Sequence, residues 1–81
     1  VSLDTLKQAS KVIGVKQAVK TVEKNKASKV YMAQDADERI VRSLRDVCQQ
    51  NHVPIEMVTT MSELGKACGI EVGAAAVAVL R

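Results

Sequence analysis

The chain has 81 residues, of which 47% are hydrophobic and 26% charged, a balance that fits one small globular domain and excludes a disordered segment. Phe and Trp are absent and Tyr31 is the only aromatic residue, so the core must be built from Val, Ile, Leu, Ala and Met, and base recognition by stacking on several exposed rings is excluded. The net charge of +3 is unevenly spread: residues 1–30 hold seven lysines against Asp4 and Glu23, whereas residues 31–81 hold five basic residues against seven acids, which points to one basic surface facing a polyanion.

In chain order, residues 3–9 read as a short helix with Leu3 and Leu6 on one side and Ser2 as its N-cap. Lys11 to Gly14 is a brief extended piece suited to a sheet edge. From Val15 the apolar positions Val15, Ala18, Val19 and Val22 follow the i, i+3, i+4, i+7 pattern of a half-buried helix. Lys16, Lys20 and Lys24 recur every four residues and line its outer face. Lys29 to Ala33 is a continuous apolar run of the kind found in buried strands. Gln34 to Asp37 then turns the chain, with Asp35 as the expected N-cap of a helix reaching about Asn51. Ile40, Val41, Leu44, Val47 and Cys48 are expected to face inward there, and Arg39, Arg42, Arg45 and Asp46 outward. Pro54 ends the element, because the residue before a proline is pushed out of the helical region.

Ile55 to Thr59 reads as a second central strand. Thr60 and Glu63 have the spacing of a capping box opening a short helix from Met61 to Cys68, with Gly69 at the left-handed position after it. Ile70 to Gly73 is a loop. Ala74 to Leu80 closes the chain as a strand whose small side chains let a helix approach the sheet closely. This alternation predicts a single α/β domain over residues 1–81, a three-layer α/β/α sandwich around a small mixed sheet of three to four strands.

Few of the reactive residues suggest an enzyme. Cys48 and His52 are four apart, but no orienting third group or oxyanion donor accompanies them. Asp35, Asp37 and Glu38 fit a helix start better than a metal site. No phosphate-binding glycine motif occurs, so neither a cofactor nor a metal is expected. Cys48 and Cys68 lack metal or redox spacing and read as reduced, buried thiols of a cytoplasmic protein. No apolar run reaches the roughly 20 residues that span a membrane.

Two features point to a ligand. Gly14 opens a helix whose first turns carry Lys16, Gln17 and Lys20; free N-terminal amides suit a phosphate, and lysine and glutamine can hydrogen-bond base edges. The second is the loop Gly69-Ile70-Glu71-Val72-Gly73. Apolar loop tips commonly tuck into the domain, but beside a phosphate-binding helix start this one would supply aliphatic contact for an unstacked base.

The run from Leu64-Gly65-Lys66-Ala67-Cys68-Gly69-Ile70-Glu71-Val72-Gly73 to Ala78, together with the turn Met32-Ala33-Gln34-Asp35-Ala36-Asp37, closely resembles the signature of the kink-turn-binding ribosomal protein family. The likeness covers essentially the whole chain and is strongest to bacterial, ribosomal-protein-like members of the YbxF type. It implies an α/β/α fold bound to RNA that bends sharply beside tandem sheared G·A pairs, with the protein stabilising the bent form. By position, Gly14 opens the helix that enters the major groove, and Lys16, Gln17 and Lys20 face the guanines. Ile70, Glu71 and Val72 would form the loop against a flipped nucleotide, with Asp37 and Val41 lining the other side. The implied partner is a ribosomal or riboswitch-type kink-turn RNA, with the ribosome as a further candidate, bound by a cytoplasmic monomer. Many archaeal and eukaryotic members carry Asn-Glu where this chain has Lys16-Gln17, so its guanine contacts differ in charge. The alternative is a protein-interaction or small-ligand domain of the same fold, in which the lysines only solubilise.

Overall fold

The computed structural model describes residues 10–81, so the helix expected over residues 3–9 lies outside the described residues. The order is β1 (Lys11–Ile13), α1 (Val15–Glu23), β2 (Ala27–Ala33), α2 (Glu38–Gln50), β3 (Ile55–Val58), α3 (Met61–Ala67) and β4 (Ala76–Leu80). The four strands form one sheet in the order β1-β4-β2-β3. β4 runs antiparallel to both of its neighbours, while β2 and β3 are parallel and joined through α2, so the sheet is mixed as expected.

Two apolar clusters lie on opposite faces of this sheet. On one face Ala18, Val22, Val30, Met32, Val41, Leu44, Cys48, Ala76 and Ala78 pack together, joining α1 and α2 to the strands. On the other, Tyr31, Ala33, Val58, Leu64, Cys68, Ala74 and Val77 join α3 to the strands. Alternation along β2 explains the division: Val30 and Met32 point one way, Tyr31 and Ala33 the other, and all four are buried. The three-layer sandwich follows. The alanines also behave as their size suggests, since Ala18, Ala76 and Ala78 are fully buried in one cluster, where small side chains let α1 close down on β4.

Several local expectations need correction. β2 begins at Ala27, not Lys29, because Ala27 pairs with Leu80 across an irregularity at Ser28, whose hydroxyl donates to the Val79 carbonyl at 3.3 Å. Asn25 supplies the reversal before it with φ 60°, a left-handed conformation that asparagine tolerates. β4 begins at Ala76 and not at Ala74, because the Ala74 amide is taken by the Met61 carbonyl at 3.0 Å. The N-cap of α2 is Asp37, whose carboxylate accepts from the Arg39 amide at 2.9 Å; Asp35 instead accepts from the Met61 amide at 2.8 Å and so helps to start α3. Ile40 is not inward but 52% exposed, because Val41, Leu44 and Cys48 already complete the buried stripe of α2.

Thr60 caps α3 by accepting from the Glu63 amide at 3.0 Å, as its spacing predicts, and Gly69 takes φ 82° after the helix. His52 takes φ 57° beyond the end of α2, so it does not share a helical face with Cys48. Cys48 is fully buried and burial pushes its thiol up to about 11, which keeps it neutral and unreactive. Edge strand β3 is held by Lys29, whose Nζ donates to Glu56 at 2.8 Å and lies 5.1 Å from the Tyr31 ring centre. The hydrogen bond from Lys29 holds the Glu56 carboxyl below its ordinary range.

Gly65 lies within α3 where the returning chain crosses it, and a Cβ there would collide with the Val72 carbonyl oxygen. Helix propensity alone favours alanine over glycine by about 1 kcal/mol. The collision is with backbone, which cannot rotate aside, and overpacking of this kind costs about 1–3 kcal/mol. Gly65→Ala is therefore expected to lower the midpoint of thermal or urea unfolding despite the better propensity; a raised midpoint would mean that the loop yields freely.

Candidate nucleic-acid interface

The pairing pattern brings four connections to one end of the sheet. Ile13 pairs with Val77, Met32 with Ala76 and Ala33 with Val58, so the C-terminal ends of β1, β2 and β3 meet the N-terminal end of β4. Backbone hydrogen bonds stitch this edge: Gly14 donates to Ala76 at 2.9 Å, Ala33 to Ala75 at 3.0 Å and Gln34 to Val58 at 2.7 Å. The N-termini of α1, α2 and α3 all open here, with the positive ends of their dipoles directed the same way. Strand ends of this kind are where open α/β sheets place ligands.

The three helix starts differ in one decisive respect. Those of α2 and α3 are capped by Asp37 and Thr60, with Asp35 engaged at Met61 as well. The start of α1 has no side-chain cap, and no acidic residue lies in its first turn. The amides of Val15, Lys16 and Gln17 have no acceptor among the described residues. They are left for an external one. Gly14 makes this start possible: its φ of 107° and ψ of 148° lie in a region essentially restricted to glycine.

Lys16, Gln17 and Lys20 are all exposed, and no carboxylate of the described residues pairs with either lysine. The acids at the start of α2 are matched there. Asp37 is held by Arg39, whose Nε and Nη2 donate at 3.4 and 3.3 Å, and Glu38 by Arg45, whose Nη1 donates at 2.6 Å. Lys16 and Lys20 are thus opposed less by Asp37 and Glu38, whose charges are matched by Arg39 and Arg45.

The loop from Gly69 to Gly73 runs back along α3 towards Met61. The Ile70 amide donates to the Gly65 carbonyl at 3.1 Å, and a Cβ on Gly73 would lie 3.1 Å from that of Met61. Its residues divide by environment: Ile70 packs against the α3-side cluster, Glu71 is exposed, and Val72 is 70% exposed. Asp37 is exposed at the start of α2, but Val41 is only 2% exposed and belongs to the core. The edge therefore gathers Gly14, Asp37 and the end of the glycine-bounded loop, while Val41 and much of Ile70 lie beneath the surface. Ile40, on the first turn of α2, supplies apolar surface that the sequence reading assigned to the interior; its position 100° away from the Val41–Leu44–Cys48 stripe was the signal.

Known proteins resemble this chain in sequence and fold. The sequence model of the Ribosomal protein L7Ae/L30e/S12e/Gadd45 family matches residues 2–81. The chain belongs to this family. Among its L7Ae/L30e/S12e/Gadd45 relatives, an RNA-binding protein of Geobacillus thermodenitrificans is 46% identical over 81 residues, 99% of each chain. RNA-binding protein YbxF of Geobacillus stearothermophilus is 43% identical over 81 residues, again 99% of each. The solved structure of the Giardia lamblia 15.5kD RNA binding protein superposes with a TM-score of 0.89 at 30% identity, covering 98% of this chain and 70% of that one. The α/β/α architecture is that of the family.

Gly14 has nothing within 4 Å of the position a Cβ would occupy, so its requirement is conformational rather than spatial. Gly14→Ala is expected to cost about 1–3 kcal/mol of stability through backbone strain, read by urea denaturation. An unchanged unfolding midpoint would mean that α1 starts equally well without a positive φ.

Proposed function

We propose that this protein is a non-catalytic RNA-binding module that recognises kink-turn RNA and stabilises its bent form. The single observation that carries the reading is the uncapped start of α1, flanked by Lys16 and Lys20, which have no ion pair among the described residues, and sharing one sheet edge with the Gly69–Gly73 loop. Membership of a family with relatives described as RNA-binding supports it. In this reading the free amides and lysines hold phosphate and guanine edges, and Gln17 adds a group that both donates and accepts. Asp37 and exposed Val72 border the unstacked nucleotide, with Ile70 and Glu71 shaping the loop between them. The partner is a ribosomal or riboswitch-type kink-turn RNA, bound by a cytoplasmic monomer. Binding favours the kinked conformer only to the extent that it contacts that conformer better than the extended one.

The direct measurement is a calorimetric titration against a simple kink-turn and against the same RNA with its tandem G·A pairs replaced. Clear preference for the first is expected, and equal affinity removes kink-turn specificity while leaving general RNA binding. In the same assay Lys20→Ala is expected to weaken kink-turn binding roughly five- to 150-fold if Lys20 contacts a guanine. Lys66→Ala, in the last turn of α3 and away from the edge, is expected to change it little. Equal losses in the two variants would mean that the wrong face has been assigned.

Val72→Asp separates binding from packing. A side chain this exposed contributes within about 0.5 kcal/mol to stability, so the melting temperature is expected to hold while affinity for the kink-turn falls. A lowered melting temperature with intact binding would place Val72 in the packing of the domain instead.

A further inference from the structure

α1 and α2 lie side by side on one face of the sheet, and between them runs an open groove of about 440 Å³, lined by Val15, Lys16, Val19, Lys20, Glu23 and Ser43. That volume falls within the roughly 300–1,000 Å³ of clefts that hold small organic groups. The lining is ordered by chemistry. Val15 and Val19 are half-buried and make an apolar floor next to the core, while Lys16, Lys20, Glu23 and Ser43 are exposed around it. Neither lysine, nor Glu23, is ion-paired within the described residues. The groove therefore offers two cations, one carboxylate and one hydroxyl around an aliphatic surface, and it begins beside the uncapped start of α1.

From this geometry we infer that the groove receives one unpaired nucleotide of an RNA strand, and that Glu23 selects a base bearing an exocyclic amino group. Lys16 and Lys20 match the phosphate by charge. The base lies on Val15 and Val19, branched side chains serving where the groove has no ring to stack upon. Glu23 then accepts a hydrogen bond from an amino group such as N4 of cytosine, a pairing suited to a carboxylate. Uracil is nearly the same shape but carries oxygen at that position, and two acceptors facing each other repel. Ser43, able to donate and accept, is compatible with either base and provides no discrimination. The inference rests on the protein being an RNA binder; the groove shares Lys16 and Lys20 with the proposed kink-turn face, while Val15, Val19, Glu23 and Ser43 belong to the groove alone.

The test uses single-stranded heptacytidylate and heptauridylate, with affinity read by fluorescence anisotropy at neutral pH and the Val15 and Val19 methyl groups followed by NMR. The cytidine strand is expected to bind at least roughly tenfold more tightly and to shift both valines. Glu23→Gln, which keeps the shape and removes the charge, is expected to bring the two affinities together. Ser43→Tyr, at an exposed helical position, is expected to fill the groove and weaken both strands with an unchanged melting temperature. Equal affinities in the unmodified protein would overturn the inference, as would selectivity that survives Glu23→Gln. Cytidine monophosphate binding more tightly than the heptamer would reassign the groove to a free nucleotide. Loss of G·A dependence in the kink-turn titration would leave the cytidine preference intact, so the two readings fail separately.

Discussion

The geometry of the candidate edge depends on the start of β4. This strand runs antiparallel to β1 on one side and to β2 on the other, and its first carbonyls accept from Gly14 and Ala33 across short connections. Those bonds fix where β1 ends, and so where α1 begins. The same segment is tied to α3 through the Ala74 amide and the Met61 carbonyl, and α3 is tied to the β2–α2 turn through the carboxylate of Asp35. Four connections far apart in sequence are thereby locked to one another, chiefly by backbone groups, with the Asp35 carboxylate as the side-chain tie. A site on such an edge is organised before any ligand arrives, and binding then loses little conformational entropy.

The capping pattern converts that geometry into charge. Every helix start exposes unsatisfied amides, and a domain can either satisfy them internally or leave them open. Here Asp37, Thr60 and Asp35 serve α2 and α3, while α1 follows a glycine that has no side chain to offer. Arg39 and Arg45 then match Asp37 and Glu38. These exposed pairs add little to stability. Their consequence is local electrostatics: Asp37 and Glu38 are matched close to their own helix start, so they oppose the field of Lys16 and Lys20 less.

The near absence of aromatic residues shapes both core and surface. Tyr31 is buried between strands and α3, so the described surface presents no Phe, Tyr or Trp ring. The accessible apolar surface is aliphatic: Val72 and Ile40 near the edge, and Val15 and Val19 in the α1–α2 groove. In the core the same scarcity is met by small residues. Ala18, Ala76 and Ala78 let α1 and the sheet come close, replacing bulk by proximity.

Much of this was legible in the sequence. The elements followed from the period of the apolar residues, the Thr60–Glu63 cap and Gly69 turn from local chemistry, and the sandwich from alternation of helix and strand. Gly14, Lys16, Gln17 and Lys20 could be singled out because their environment is set within one turn of helix. What local pattern could not supply was the partner of each group. Asp35 and Asp37 are equivalent caps until tertiary structure brings Met61 within 2.8 Å of the first. Ile40 and Val41 are similarly apolar and lie about 100° apart on the helix, and the placement of α2 against the sheet selects which of them is buried. The crossing of Val72 over Gly65, and the groove between α1 and α2, join residues that no spacing in the chain relates. Backbone conformation and apolar periodicity act over a few residues and are written into the sequence; matching of caps, charges and surfaces acts across space, and only the folded chain decides it.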